Sequence, residues 1–191
     1  MKKVLCCIPT LGSIRIELAQ RLYAWKQQYG NFFDVYPSSI RPLYEARNDC
    51  VRTFLKSGAS YLFFVDSDAV PPVNTIEQLL SHGFDKKIVS GLTHEIKQDS
   101  DGVFKRIPLI LKAIKEAEYR IMDIELKGLI EVDATGTICV MIHKSVFKAV
   151  EEPWFFSRAE DFNFFEKAKT AELNIYVDCS CKVQHFVEVG I

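Results

Sequence analysis

The chain lacks most of the patterns that settle a sequence's class at first reading. Its six cysteines contain no CxxC pair, so a zinc ribbon is not expected. Lys and Arg total 24 against 25 Asp and Glu, for a net charge of -1, which gives no support for a general nucleic-acid binder. No apolar run approaches the roughly 18 residues of a membrane span. There is no internal repeat, no low-complexity segment and no linker. The opening MKKVLCCIPTLGSIRIE is basic and briefly apolar, but Pro9 breaks the run VLCCI and no small-residue cleavage site follows. It reads as the first strand of a fold rather than a secretory signal. Of the cysteines, Cys6, Cys50 and Cys139 sit in apolar runs and read as buried small hydrophobes. Cys179 and Cys181 share one face of a predicted strand, and whether they pair stays open. Reduced thiols and a cytoplasmic protein are the plain expectation.

What is present is enough for one domain with a full core: 191 residues, 48% hydrophobic and 12% aromatic. Residues 3–9 read as a short buried strand. Ser13 is a predicted N-cap, and Ile14, Leu18, Leu22 and Trp25 recur at helical spacing up to Gly30. A strand over 32–37, a helix over 43–57 and a strand over 61–68 follow. Then come a helix over 74–83 capped by Asn74, and a strand over 86–92. This alternation predicts a mostly parallel α/β sheet, in which ligands gather at the C-terminal strand ends. The second half changes character. Residues 95–106 are polar and read as a mobile loop, and 107–132 as antiparallel strands or a strand and a short helix. A Gly-centred turn at 134–137, an apolar strand, a helix capped near His143 to Ser145, a helix over 158–173 and a last strand over 174–186 complete the chain.

The stretch YLFFVDSDAV, residues 61–70, ends an apolar run with Asp66 and Asp68. In an extended segment residues two apart share a face. Carboxylates held that close repel each other unless a cation neutralises them. Oxygen ligands at this spacing suit a hard divalent ion, Mg2+ or Mn2+. A plain strand-to-loop turn ahead of Pro71-Pro72 is the other reading. A second carboxylate pair, Glu160-Asp161, opens a predicted helix, where acidic residues also complement the helix dipole.

Four ordered segments resemble small family-2-like GT-A-fold glycosyltransferases: CCIPTLG, YEARNDCVRTFLKSGASYLFFVDSDAVPP with its DxD motif, VDATGTICVMIHKSVF, and AEDFNFFEKAKTAELNIYVDCSCKVQHF. Thr137-Ile138 departs from the pattern where relatives often carry a second Gly. Compact chains of this kind also resemble those coded by phages and archaeal viruses. The resemblance implies an α/β GT-A fold: a Rossmann-like, mostly parallel sheet with helices on both faces and a smaller antiparallel part in the second half. It implies a single domain over 1–191, with a nucleotide-binding half to about residue 92 and an acceptor and metal half after it. The implied activity moves a sugar from a UDP- or GDP-sugar to a hydroxyl of a glycan, protein or lipid, with a lean to inversion that rests on the carboxylate pair and leaves retention open. Asp68 would bind Mn2+ or Mg2+ directly. Asp66 would reach the ribose or bind the metal through water, and His185 would be the third ligand. Pro9 and Thr10 would lie at the nucleobase and ribose, and Arg47 and Asn48 would contact base or phosphate, although Arg41 and Arg52 are equally available. Asp161 would be the general base, with Glu160 as its substitute or an acceptor contact.

Other readings stay open at this level. Trp154, Phe155 and Phe156 suit either an acceptor platform or the core, and loop 95–106 either a lid or a plain surface loop. LFFVDSDAV also fits the nucleophile motif of haloacid-dehalogenase-type Mg2+-dependent phosphohydrolases. That family places it on the first strand, whereas two βα units precede it here. An inactive sugar-binding protein of the same fold is a third possibility. A nucleotidyltransferase would show a richer glycine loop than Leu11-Gly12-Ser13.

Overall fold

The computed structural model describes residues 2–98, 101–115, 118–157 and 159–186. The first half alternates as its periodicity predicts. β1 (Val4–Pro9), α1 (Ile16–Tyr29), β2 (Phe33–Ser38), α2 (Leu43–Lys56) and β3 (Tyr61–Val65) follow one another. β4 (Ala69–Val70), α3 (Thr75–Ser81) and β5 (Ile88–Leu92) come next. The second half holds β6 (His94–Gln98), β7 (Phe104–Pro108), β8 (Leu111–Lys115), β9 (Glu118–Ile121) and β10 (Leu129–Val132). It closes with β11 (Cys139–His143), α4 (Val146–Ala149), α5 (Glu160–Thr170), β12 (Ile175–Lys182) and β13 (Gln184–His185).

Seven strands form the central sheet in the order β10-β12-β5-β11-β3-β1-β2. β1 pairs parallel with β2 and β3, and β12 with β5. β11 runs antiparallel to β3 and β5, and β10 antiparallel to β12, so five strands share one direction. β1 and β3 are buried along their whole length, as continuous apolar runs in a sheet covered on both faces should be. Alternation along β1 divides the core. Leu5 and Cys7 face the side covered by α2 and α5, with Cys50, Phe54, Phe164 and Phe165. Val4, Cys6 and Ile8 face α1 and α3, with Leu18, Trp25, Ile76 and Leu79. All six cysteines are free and buried, Cys179 and Cys181 included. Trp154 and Phe155 are core residues, Phe155 stacked on Phe164, while Phe156 lies at the surface under Lys167.

Several expectations need correcting. α1 starts at Ile16 with Arg15 at its N-cap, not Ser13. The Thr10 hydroxyl donates to the Ser13 carbonyl and Gly12 sits at φ 116°, so residues 10–13 fold as a turn and Ile14 lies outside the helix. Asn74 makes no side-chain cap; the Thr75 hydroxyl bonds the Pro72 carbonyl instead. The polar stretch 95–106, whose residues 99 and 100 lie outside the described ones, belongs to a hairpin that pairs His94 with Pro108 through Gln98 with Phe104. β8 and β9 form a second hairpin. Among the described residues no helix is long and apolar enough to cross a membrane.

Candidate functional site

The apolar run of β3 ends at Val65, and Asp66 to Ala69 make a tight turn closed by the Ala69 amide on the Asp66 carbonyl at 3.0 Å. The extended geometry expected for the two carboxylates is therefore replaced by a turn, and they diverge. Asp66 faces Arg47, 3.1 Å away. Asp68 faces His185, whose Nε2 lies 3.5 Å from its carboxylate. The predicted last strand breaks at Val183. Its continuation, β13, pairs antiparallel with β4, placing His185 opposite Ala69 and Gln184 opposite Val70. The break depends on Gly91, where a Cβ would come within 2.8 Å of Val183 and 3.0 Å of the Cys181 carbonyl. The pairing brings a histidine from the far end of the sequence to the turn.

His185 is oriented as a ligand would be. Its Nδ1 lies 3.1 Å from the His94 carbonyl oxygen. A carbonyl only accepts, so Nδ1 carries the proton and Nε2 is directed at Asp68. Two acceptors so placed need a cation between them, either a proton or a metal ion, and a second-shell carbonyl of this kind is a usual companion of metal-bound imidazole. The Asp68 hydrogen bond raises the His185 pKa against the effect of burial. Burial works to raise the Asp68 carboxyl, but His185 outweighs it and holds the group below the ordinary carboxylate value. Asp68 and His185 thus fit a divalent ion that keeps water and phosphate oxygens in its remaining positions. Among the described residues no three His, Cys, Asp or Glu side chains gather into a ready-made site, and the Asp66 carboxylate is paired with Arg47.

Behind the turn lies a buried charge cluster. Arg47, on α2, is 1% exposed. Besides Asp66, its Nε is 3.6 Å from Glu160 and 3.7 Å from Asp161 at the start of α5. Burial works to lower the Arg47 pKa, but the carboxylates outweigh it and keep the guanidinium charged. Burial raises Asp66 against the pull of Arg47, and burial with the like charge of Asp161 raises Glu160. Thr137 orients Asp161: its amide donates to one carboxylate oxygen at 3.2 Å and its hydroxyl to the other.

The remaining sequence candidates divide. Pro9 and Thr10 line a cavity of about 220 Å³ at the C-terminal end of β1, together with Leu11, Ile40, Arg41, Leu43 and the turn from Asp66 to Asp68. Asn48 is not there. It is fully buried and bonds the Phe155 backbone in both directions, at 2.8 and 3.0 Å. Arg47 is likewise buried and paired with carboxylates, and neither residue lines this cavity. Sequence reasoning missed the contact of Thr137 with Asp161, although it marked that position as a departure. An apolar cavity of about 290 Å³ beside Tyr29, Phe33 and Leu80 opens at the opposite end of β1, away from the carboxylates.

No protein-family model and no curated protein matches the chain. Solved structures do. A197 from STIV matches with a TM-score of 0.67 at 21% identity, over 97% of this chain and 86% of that one. GalNAc-T7, in a structure with UDP, GalNAc and Mn2+, matches with a TM-score of 0.60 at 14% identity, over 99% of this chain and 44% of that one. The chain thus spans under half the length of GalNAc-T7. At these identities the likeness speaks for the fold, and the fold is the GT-A-like α/β arrangement that the sequence resembles.

Proposed function

We propose that the chain is a metal-dependent glycosyltransferase that moves a sugar from a UDP- or GDP-sugar to an acceptor hydroxyl with inversion. One observation carries the reading. A histidine fixed by the His94 carbonyl aims its other nitrogen at Asp68, at the C-terminal end of a central strand where α/β sheets bind ligands. The fold likeness to GalNAc-T7, whose structure holds UDP and Mn2+, supports it. Asp68 and His185 would hold the ion, with Mn2+ favoured over Mg2+ by the imidazole. Bound there, the ion supplies Lewis-acid stabilisation of the departing diphosphate.

The chain's own groups do the rest. Pro9, Thr10 and the apolar walls beside them seat the nucleoside. Asp66, held by Arg47, borders that seat and reaches toward the ribose. Asp161 takes the proton of the acceptor hydroxyl as its oxygen attacks the anomeric carbon and the bond to the diphosphate breaks. A carboxylate has about four lone-pair sites, and Thr137 occupies two, so Asp161 keeps capacity for the acceptor. Glu160, more enclosed, balances Arg47. On this reading residues 1–92 bind the donor nucleotide and 93–191 carry the acceptor side and His185 within one domain. Six buried free thiols suit a reducing compartment such as the cytoplasm. The phosphohydrolase alternative needs Asp66 as a free nucleophile, whereas Arg47 holds it.

The test is Mn2+-dependent release of nucleoside diphosphate from a panel of UDP- and GDP-sugars. Asp161→Asn is expected to lower the rate about 100-fold or more while nucleotide binding is kept. An unchanged rate would remove Asp161 from the role of base, and hydrolysis of a plain phosphate ester instead would favour the phosphohydrolase.

A further inference from the structure

We propose that Arg15, stacked on Phe186, is a second cation for the donor's diphosphate, in the cavity that Asp68 also borders. This rests on the transferase reading. It starts from a cavity of about 460 Å³ beside the one that seats the nucleoside, bordered by Ser13, Arg15, Ser67, Asp68 and Phe186. Arg15 is the one cationic side chain among the described residues that line it.

Three contacts hold Arg15 at this spot. Its amide donates to the Ser67 carbonyl at 3.1 Å, which fixes the residue to the same turn that carries Asp68. Its guanidinium carbon lies 3.8 Å from the centroid of the Phe186 ring. The Phe186 amide donates in turn to the Asp68 carbonyl at 3.0 Å. The segment that supplies His185 therefore also supplies the platform for Arg15, and both cationic elements are positioned by one turn.

A guanidinium stacked by one face keeps its edge of N–H donors free to grip an anion in the ring plane, and that fork matches phosphate oxygens better than an ammonium does. The present partner of that edge is Glu17, at 3.3 and 3.4 Å. Both side chains are more than a third exposed, and ion pairs of this kind hold little free energy against a competing anion. A diphosphate held through a metal ion at Asp68 meets a second positive group here, whereas the charge of Arg47 is already balanced by carboxylates. Arg15 is then a binding residue for the leaving group, and Phe186 the residue that positions it.

Calorimetric titration with Mn2+–UDP, Mn2+–GDP and Mn2+–pyrophosphate tests this without any turnover. Wild type is compared with Arg15→Ala, Arg15→Lys, Phe186→Leu and Arg41→Ala, with melting temperatures to confirm folding. Arg15→Ala is expected to weaken pyrophosphate and the nucleotide that wild type prefers by at least about tenfold, the size of a lost charge-assisted hydrogen bond. Arg15→Lys recovers part of the loss, and Phe186→Leu shows a smaller loss in the same direction. If folded Arg15→Ala binds all three as wild type does, the assignment to Arg15 is wrong while the transferase reading stands. A loss confined to Arg41→Ala moves the diphosphate to the neighbouring cavity that Arg41 lines and overturns it as well. Wild type that binds neither nucleotide with Mn2+ overturns the transferase reading and this assignment with it.

Discussion

A guanidinium without access to water needs its charge balanced by neighbours, and Arg47 has three carboxylates within 3.7 Å. One of them follows β3 and two open α5, so a single side chain ties the end of a central strand to the start of α5. Removing one partner of a buried charge network leaves the others uncompensated, at about 3–5 kcal/mol. Arg47→Ala is expected to lower the urea midpoint by the equivalent of that loss; a midpoint within 0.5 kcal/mol of wild type, roughly the size of an ordinary surface substitution, would contradict the keystone role. The charge of Arg47 was legible in the sequence, but its partners were not. Asp66, Glu160 and Asp161 lie far apart along the chain, and nothing local distinguishes a buried arginine from Arg41 or Arg52. The same holds for Asn48, whose partner is a backbone more than a hundred residues away. Asp68 stood out as a carboxylate at a strand end, whereas His185, an ordinary histidine by itself, was singled out only by its place in the ordered segments that carry the family resemblance.

At the scale of elements, the βα units of the first half could be read because each strand is an apolar run and each helix has one buried stripe. The first hairpin could not, and the second only as one of two readings of residues 107–132, antiparallel strands or a strand and a short helix. β7 to β9 are largely exposed, so no buried face pins their pattern to one element type. Asp133 is one of the groups that fasten the second hairpin to the body, beside the stacking of Tyr119 on Phe162. It accepts from the Ala113 amide at 3.0 Å and pairs with Lys112 at 3.0 Å and with Lys169 of α5 at 3.1 Å. Burial works to raise its pKa, but these donors outweigh it and hold it below the ordinary 3.8. A carboxyl with a lowered folded-state pKa adds stability above its unfolded value and loses it as pH falls through the folded one. Asp133→Asn is therefore expected to cost about 1–3 kcal/mol at pH 7, and the difference from wild type should shrink only below about pH 4. Denaturant titrations of both proteins from pH 7 to 3 check it. A difference that grows on acidification would contradict the sign.

For the whole molecule, one sheet direction explains why the site is where it is. Five of seven strands run the same way, and β1 and β3 end at one rim. Pro9, Thr10, Asp66 and Asp68 all border the cavity at that rim. The antiparallel β11 sits between β3 and β5, and the loop before it delivers Thr137 to Asp161. The short β13 then turns back onto β4 and adds His185. The central claim is that a metal-bound nucleoside diphosphate sits at this rim on Asp68. Calorimetric titration with UDP and then GDP, each with and without Mn2+, on wild type beside Asp68→Ala, tests it most directly. The account expects Mn2+-dependent binding of one nucleotide that is lost in Asp68→Ala. Binding of neither nucleotide, or binding indifferent to both Mn2+ and the substitution, would contradict it.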